Sequence, residues 1–187
     1  MRFGVLATVA AFLVLTQASL AATPLRVRSD DFSSGHAIPL RFSYDRYGCI
    51  GQNLSPEIRW SGAPIETKSF ALTVYDPDAR HGAGWWHWVM YDIPPNVRAL
   101  ARGAGEPSRH RSGAQATSSF ETKGYGGPCP PPGDAPHHYV FTLYALNVRR
   151  LPGANTSMTG PQLEPLLHRH ELAYAQLTGR FGRPKRG

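Results

Sequence analysis

Four polar side chains stand against apolar surroundings in this sequence. Asp76 and Asp78 lie in Tyr75-Asp76-Pro77-Asp78-Ala79-Arg80, His87 in Trp85-Trp86-His87-Trp88, and His137 in Pro136-His137-His138-Tyr139. A polar group left unpaired in an apolar setting costs about 1–3 kcal/mol, so each of these needs a partner or a ligand. A carboxylate bonded to an imidazole orients the ring and favours its charged form. A charged imidazole beside free backbone amides attracts a small anion such as phosphate. Such amides are offered by Gly124-Tyr125-Gly126-Gly127-Pro128-Cys129-Pro130-Pro131-Pro132, where glycines admit close approach and prolines make rigid walls. Each piece alone has a plainer role: Asp-Pro-Asp caps a turn, His87 fills a core, and His138 faces outward. Together they point to a pocket. The same groups would also suit acid–base or metal chemistry, but the chain has no H-E-x-x-H and no nucleophile elbow. The expectation is a non-enzymatic site with no metal and no cofactor.

The elements that must position these residues are mostly strands. In Lys68–Tyr75, Phe70, Leu72 and Val74 alternate with Ala71, Thr73 and Tyr75, the pattern of a central strand covered on both faces. Continuing it sets Asp76 on the Phe70 face. Trp86–Ile93 reads as the next strand, with His87, Val89 and Tyr91 on one face and Trp86, Trp88 and Met90 on the other. A third strand over His137–Leu146 puts His137 and Tyr139 on one face and His138 on the other. Shorter strands are expected from Leu25 to Tyr47 and over Glu57–Ser61. Asn96–Ser119 reads as a long loop. One helix opens at Gly160-Pro161, carries Leu163, Leu166, Leu167, His170, Tyr174 and Leu177 at helical spacing, and closes at Gly179. His81, His110, His168 and His170 read as surface or helix residues.

Composition bounds the rest. The chain has 187 residues, 41% hydrophobic and 18% charged, which suits one globular domain. The 19 glycines and 17 prolines favour turns and short strands. Arg2, the apolar Gly4–Leu15 run and Ser19-Leu20-Ala21 predict a cleavable export leader over 1–21, followed by one domain over 22–187 with a basic tail from 180. The apolar run is shorter than the about 20 residues needed to span a bilayer. The protein is therefore expected to be soluble, in the periplasm or secreted. The formal charge of +7 comes without the aromatic–basic interleaving of a nucleic-acid motif. Two cysteines in an exported chain favour one disulfide, Cys49–Cys129, over a reactive thiol.

Five stretches fall in order along one family's pattern: Asn53-Leu54-Ser55-Pro56, Tyr75-Asp76-Pro77-Asp78-Ala79, Gly84-Trp85-Trp86-His87-Trp88, Gly124–Pro131 and Pro136-His137-His138-Tyr139. The chain resembles the phosphatidylethanolamine-binding protein family, in its bacterial Raf-kinase-inhibitor-like branch. The resemblance implies a mainly β fold, a large antiparallel sheet packed on a smaller one, with a C-terminal helix and few others. It implies a small anion pocket at one end of the sheet. By motif position the ligand set is Asp76, Asp78, Trp85, His87, Gly127, Cys129, Pro130, Pro131, His137 and Tyr139. Gly127 and Cys129 stand where loop amides face the ligand, and the resemblance sets Cys49 opposite Cys129. Two departures stand out: Arg80 where the family has Pro, and His138 where it often has Arg. The implied partner is phosphate or a phosphoethanolamine-like headgroup. The alternative is an interaction module, resembling protease or kinase inhibitors and acting through the pocket rim.

Overall fold

The computed structural model describes residues 23–109 and 112–185. The expected leader over 1–21 and the last two residues of the basic tail lie outside them.

Two antiparallel sheets carry the fold. The smaller has β1 (Arg26–Arg28), β2 (Ile58–Ser61) and β5 (Ala99–Leu100) in the order β1-β2-β5. The larger has β3 (Ser69–Asp76), β4 (Trp85–Ile93), β6 (Ala114–Gln115), β7 (His137–Leu146) and β8 (Glu171–Phe181) in the order β6-β4-β3-β7-β8. One α-helix, α1 (Gly160–His170), accompanies them among the described residues.

β3 is the middle strand, and its alternation works as expected. Phe70, Leu72 and Val74 meet Ile58, Trp60 and Leu100 in the core between the sheets. Ala71 faces the other side, where Leu163 and Leu167 of α1 cover the sheet. Burial of both faces makes β3 apolar at almost every position. β7 alternates as expected too: Tyr139, Phe141 and Leu143 face the inter-sheet core, while Tyr144 and Leu146 face α1.

The expected faces of β4 are corrected at two residues, Trp86 and His87. Trp88 pairs with Val74 and Trp86 with Tyr75, so His87 is an extra residue with no opposite number on β3. This β-bulge breaks the period of two. Trp86 joins Val89 and Tyr91 on the α1 side, while Trp88 and Met90 face the inter-sheet core. His87 is swung toward Tyr139, with ring centroids 5.0 Å apart.

The C-terminal region differs more. The helix stops at His170, and Glu171–Phe181 is a strand pairing along the length of β7. Ala173, Ala175 and Leu177 take the inner face, a period-two pattern that Leu163, Leu167, Tyr174 and Leu177 had masked by also fitting a helical one. Gly179 is no helix cap; a side chain there would run into Ile38 and Phe32. The alternation of Ile38, Leu40, Phe42 and Tyr44 likewise forms no strand: Leu40–Phe42 is a single 3-10 turn. Within the expected long loop, β5 and β6 add two residues each to the sheet edges.

Candidate functional site

The C-terminal end of β3, the start of β4 and the start of β7 meet at one end of the large sheet. A cleft of about 730 Å³ opens there. Nine of the ten expected residues line it: Asp76, Asp78, Trp85, His87, Cys129, Pro130, Pro131, His137 and Tyr139. Gly127 is the exception. Its N–H donates to Asn53 Oδ1 at 2.7 Å, and a Cβ there would strike the Phe42 carbonyl, so it holds the loop down rather than facing the cleft. The volume also exceeds a pocket for one small anion, and lies in the usual range for small-molecule sites.

Asp76 is the buried anchor. Its Oδ1 accepts from the Asp78 and Ala79 backbone N–H groups at 2.9 and 3.1 Å, which shapes the turn after β3. Its Oδ2 accepts from His137 Nδ1 at 2.8 Å. Asp78 does not reach a cleft histidine. It accepts from His138, through both the backbone N–H at 2.7 Å and ring Nδ1 at 2.8 Å. Partial burial acts to raise the Asp78 carboxyl, but these bonds outweigh it and hold the group below the ordinary carboxylate value. His138 thus fills, bonded to Asp78, the position where the family pattern often has Arg.

His87 is 3% exposed. Its Nδ1 donates to the Gly126 carbonyl at 2.6 Å, and the Gly126 N–H donates back to the His87 carbonyl at 2.8 Å. The rings of Phe120 and Tyr139 stand edge-on to the imidazole. Burial in this apolar cage pushes the ring down to about 4, against the opposing pull of the Gly126 carbonyl and Asp76. The expectation of a carboxylate-charged histidine is therefore reversed for His87: it is neutral at neutral pH.

Trp85 Nε1 is sealed from solvent and unbonded, and the Tyr139 hydroxyl, equally sealed, sits against the Asp76 carboxylate. Burial, and then the nearby Asp76 charge, push the Tyr139 hydroxyl far above its ordinary value, so it remains a donor. The rim carries Arg80, whose guanidinium lies 5.7 Å from the Trp85 ring centroid.

The Cys49–Cys129 disulfide is present. It ties the 46–50 loop to the proline wall of the cleft. Arg183, from the expected basic tail, adds a second strap: Nε donates to the Pro130 carbonyl at 2.7 Å and Nη1 to the Gly48 carbonyl at 2.8 Å. Arg183, Phe120, Tyr47 and Asp134 all line the cleft and were not picked out by sequence reasoning. Phe120 lies in an aperiodic loop and Arg183 in a run of basic residues, so neither carries a local signal.

A family model for phosphatidylethanolamine-binding protein matches residues 28–182. The YbcL protein of Escherichia coli K12 is 38% identical over 181 residues, covering 95% of this chain and 97% of its own length. YbhB of the same organism is 37% identical over 162 residues, covering 84% of this chain and 99% of its own. The crystal structure of YbcL, described as a new member of the mammalian PEBP family, superposes with a TM-score of 0.81 at 37% identity. It covers 86% of this chain and 99% of that one.

Proposed function

Because the chain belongs to the phosphatidylethanolamine-binding protein family, we propose that it is an exported, soluble, non-enzymatic binding protein whose cleft takes a phosphate-like group. The observation that carries this reading is the meeting of His87 and His137 with Arg80 and Arg183 around one open cleft at the end of the large sheet. Arg80 and Arg183 at the mouth supply attraction from outside.

Binding rather than catalysis fits how the polar groups are committed. Both cleft histidines are held through Nδ1, one by a carbonyl and one by Asp76. Neither is bonded to a hydroxyl or thiol among the described residues, so no nucleophile is activated. Both cysteines are spent in the disulfide. That disulfide also supports export to an oxidising compartment, the periplasm or beyond.

Titration calorimetry with inorganic phosphate and phosphoethanolamine tests the reading. The wild type is expected to bind, and His87→Ala to weaken binding by about tenfold or more, the loss of one hydrogen bond to the ligand. Absence of heat with either ligand, or equal affinity in wild type and variant, rejects it.

A further inference from the structure

The outer face of the large sheet holds a second recess. Leu163 and Leu167 of α1 cover this face over Ala71, Val89 and Leu146. Beside the helix, the same face of β3, β7 and β8 lies open as a groove of about 370 Å³. It shares no lining residue with the cleft at the strand ends. Its rings are Tyr75, Trp86, Tyr144 and Tyr174, and its carboxylates are Glu164 of α1 and Glu171 at the start of β8. Tyr75 and Trp86 rest on each other with centroids 4.8 Å apart and make one continuous ring surface. Tyr174, 57% exposed, stands on the open side. His168 lies one turn from Glu164 on α1, with Nδ1 3.1 Å from Glu171 Oε2 and its ring centroid 5.6 Å from that of Tyr144.

Charge sets this groove apart from the rest of the surface. The chain carries 20 Lys and Arg against 13 Asp and Glu, yet no Lys or Arg lines the groove among the described residues. Glu171 meets the exposed His168, while Glu164 has no hydrogen-bond or ion-pair partner among the described residues. Both carboxylates act on the buried Tyr144. Burial first, then Glu164 and, against an opposing bond from Thr73, Glu171 push its hydroxyl up to about 12. Negative charge is thus set among aromatic walls. An anion is repelled there. A metal ion lacks ligands: hard cations call for about six or more oxygens, and no three of His, Cys, Asp and Glu converge to hold one among the described residues. An organic cation meets both features, because aromatic rings attract a positive charge lying within about 6 Å of their centroids.

We propose that this groove is a binding site separate from the cleft and takes a small alkylated ammonium ion, with the rings of Tyr75, Tyr144 and Tyr174 around its carbon-clad positive end and Glu164 and Glu171 as counter-charges. The ligand's charge answers carboxylates that the protein leaves largely unmatched. Its alkyl groups fill space between the rings, Val140 and Pro77, which a bare inorganic cation leaves open. The volume stands near the lower end of the range for small-molecule sites and suits a ligand of this size.

Proton–nitrogen NMR of the protein, with sodium chloride replaced stepwise by tetramethylammonium chloride at constant ionic strength, tests this. Saturable shifts are expected at the backbone amides of Glu164, His168, Tyr174 and Gln176. The neutral molecule of nearly the same shape, tert-butyl alcohol, is expected to bind at least about tenfold more weakly, since it lacks the charge that the rings and carboxylates attract. Glu164→Gln and Tyr174→Ala are each expected to weaken tetramethylammonium binding by about threefold or more, with the rest of the spectrum unchanged. Glu164→Gln keeps the size of the side chain, so its effect reads charge alone. Shifts that do not saturate overturn the proposal. Equal affinity for the alcohol and the cation also overturns it and leaves a plain apolar groove. Wild-type affinity in both variants does the same by placing the cation elsewhere. The reading of the cleft stands or falls separately, on its own titration with phosphate.

Discussion

At the scale of single residues the site depends on one ring kept neutral. His87 loses its water to Phe120 and Tyr139, and its bonding to the Gly126 and Gly127 backbone does not make up the loss. Folding therefore lowers its proton affinity to about 4 from an ordinary 6.5. Between those values the unfolded chain binds more protons than the folded one, so stability rises with pH across that window. Above 6.5 the contribution is flat, and as pH falls toward 4 stability drops. Two and a half units correspond to about 3 kcal/mol. Urea unfolding from pH 4 to 7.5, for wild type and His87→Gln, measures it. The variant keeps an amide that can donate to Gly126 but does not titrate. The wild-type curve is expected to fall relative to the variant by about that amount between pH 6.5 and 4. Parallel curves show that the ring is not neutral in the native state. The sign was not readable from sequence, where Asp76 and Asp78 suggested a charged imidazole. Asp76 spends itself on His137 and two amides, and Asp78 on His138, so neither bonds His87.

At the scale of elements, legibility followed how many rules agreed. β3 and β7 alternate cleanly between two buried faces, and both were readable together with the positions of Asp76, His137 and Tyr139. In β4 a bulge at His87 shifted every assignment before Trp88, and a bulge leaves no mark in apolar periodicity when both faces are buried. The C-terminal region failed for a different reason. Leu163, Leu167 and Leu177 fit a 3.6 period, yet Ala173, Ala175, Leu177 and Gly179 also fit a period of two, and the free edge of β7 decided between them. Both readings disfavour a side chain at Gly179, the helix end through its left-handed backbone and the strand residue because Ile38 and Phe32 leave no room. Gly179→Val is expected to cost about 1–3 kcal/mol through overpacking, read from the denaturation midpoint. Lys185, beyond the strand, lies near Gly133, yet it is exposed. A neutral Lys185→Ala variant beside a costly Gly179→Val places the effect in the strand rather than in the tail. An unchanged midpoint in Gly179→Val argues against the strand.

At the scale of the molecule, the cleft is the place where distant segments are tied to one another. The disulfide joins residues 80 apart, and Asn53, Tyr44 and Arg183 hold the same loop from three further directions. Asn53 Oδ1 takes the Gly127 N–H, the Tyr44 N–H reaches the Pro128 carbonyl at 3.0 Å, and Arg183 holds Pro130. These ties separate two roles for the disulfide. A cross-link acts mainly by restricting the unfolded chain, and closing a loop of this length is worth about 4–5 kcal/mol in the chain-entropy account, with measured removals costing about 2–5. The wall's shape in the folded state has other supports. Replacing both cysteines by serine is therefore expected to lower unfolding free energy by about 2–5 kcal/mol while changing phosphate affinity no more than about threefold, under about 1 kcal/mol. Adding Arg183→Ala removes the second strap across the same two loops, and the affinity is then expected to fall beyond that limit. Denaturation and calorimetry on the two variants read the terms apart. A large affinity loss in the cysteine variant alone makes the disulfide the support of the wall. An affinity unchanged even without Arg183 assigns the wall to Asn53 and the Pro128 carbonyl, held by the inter-sheet core behind them.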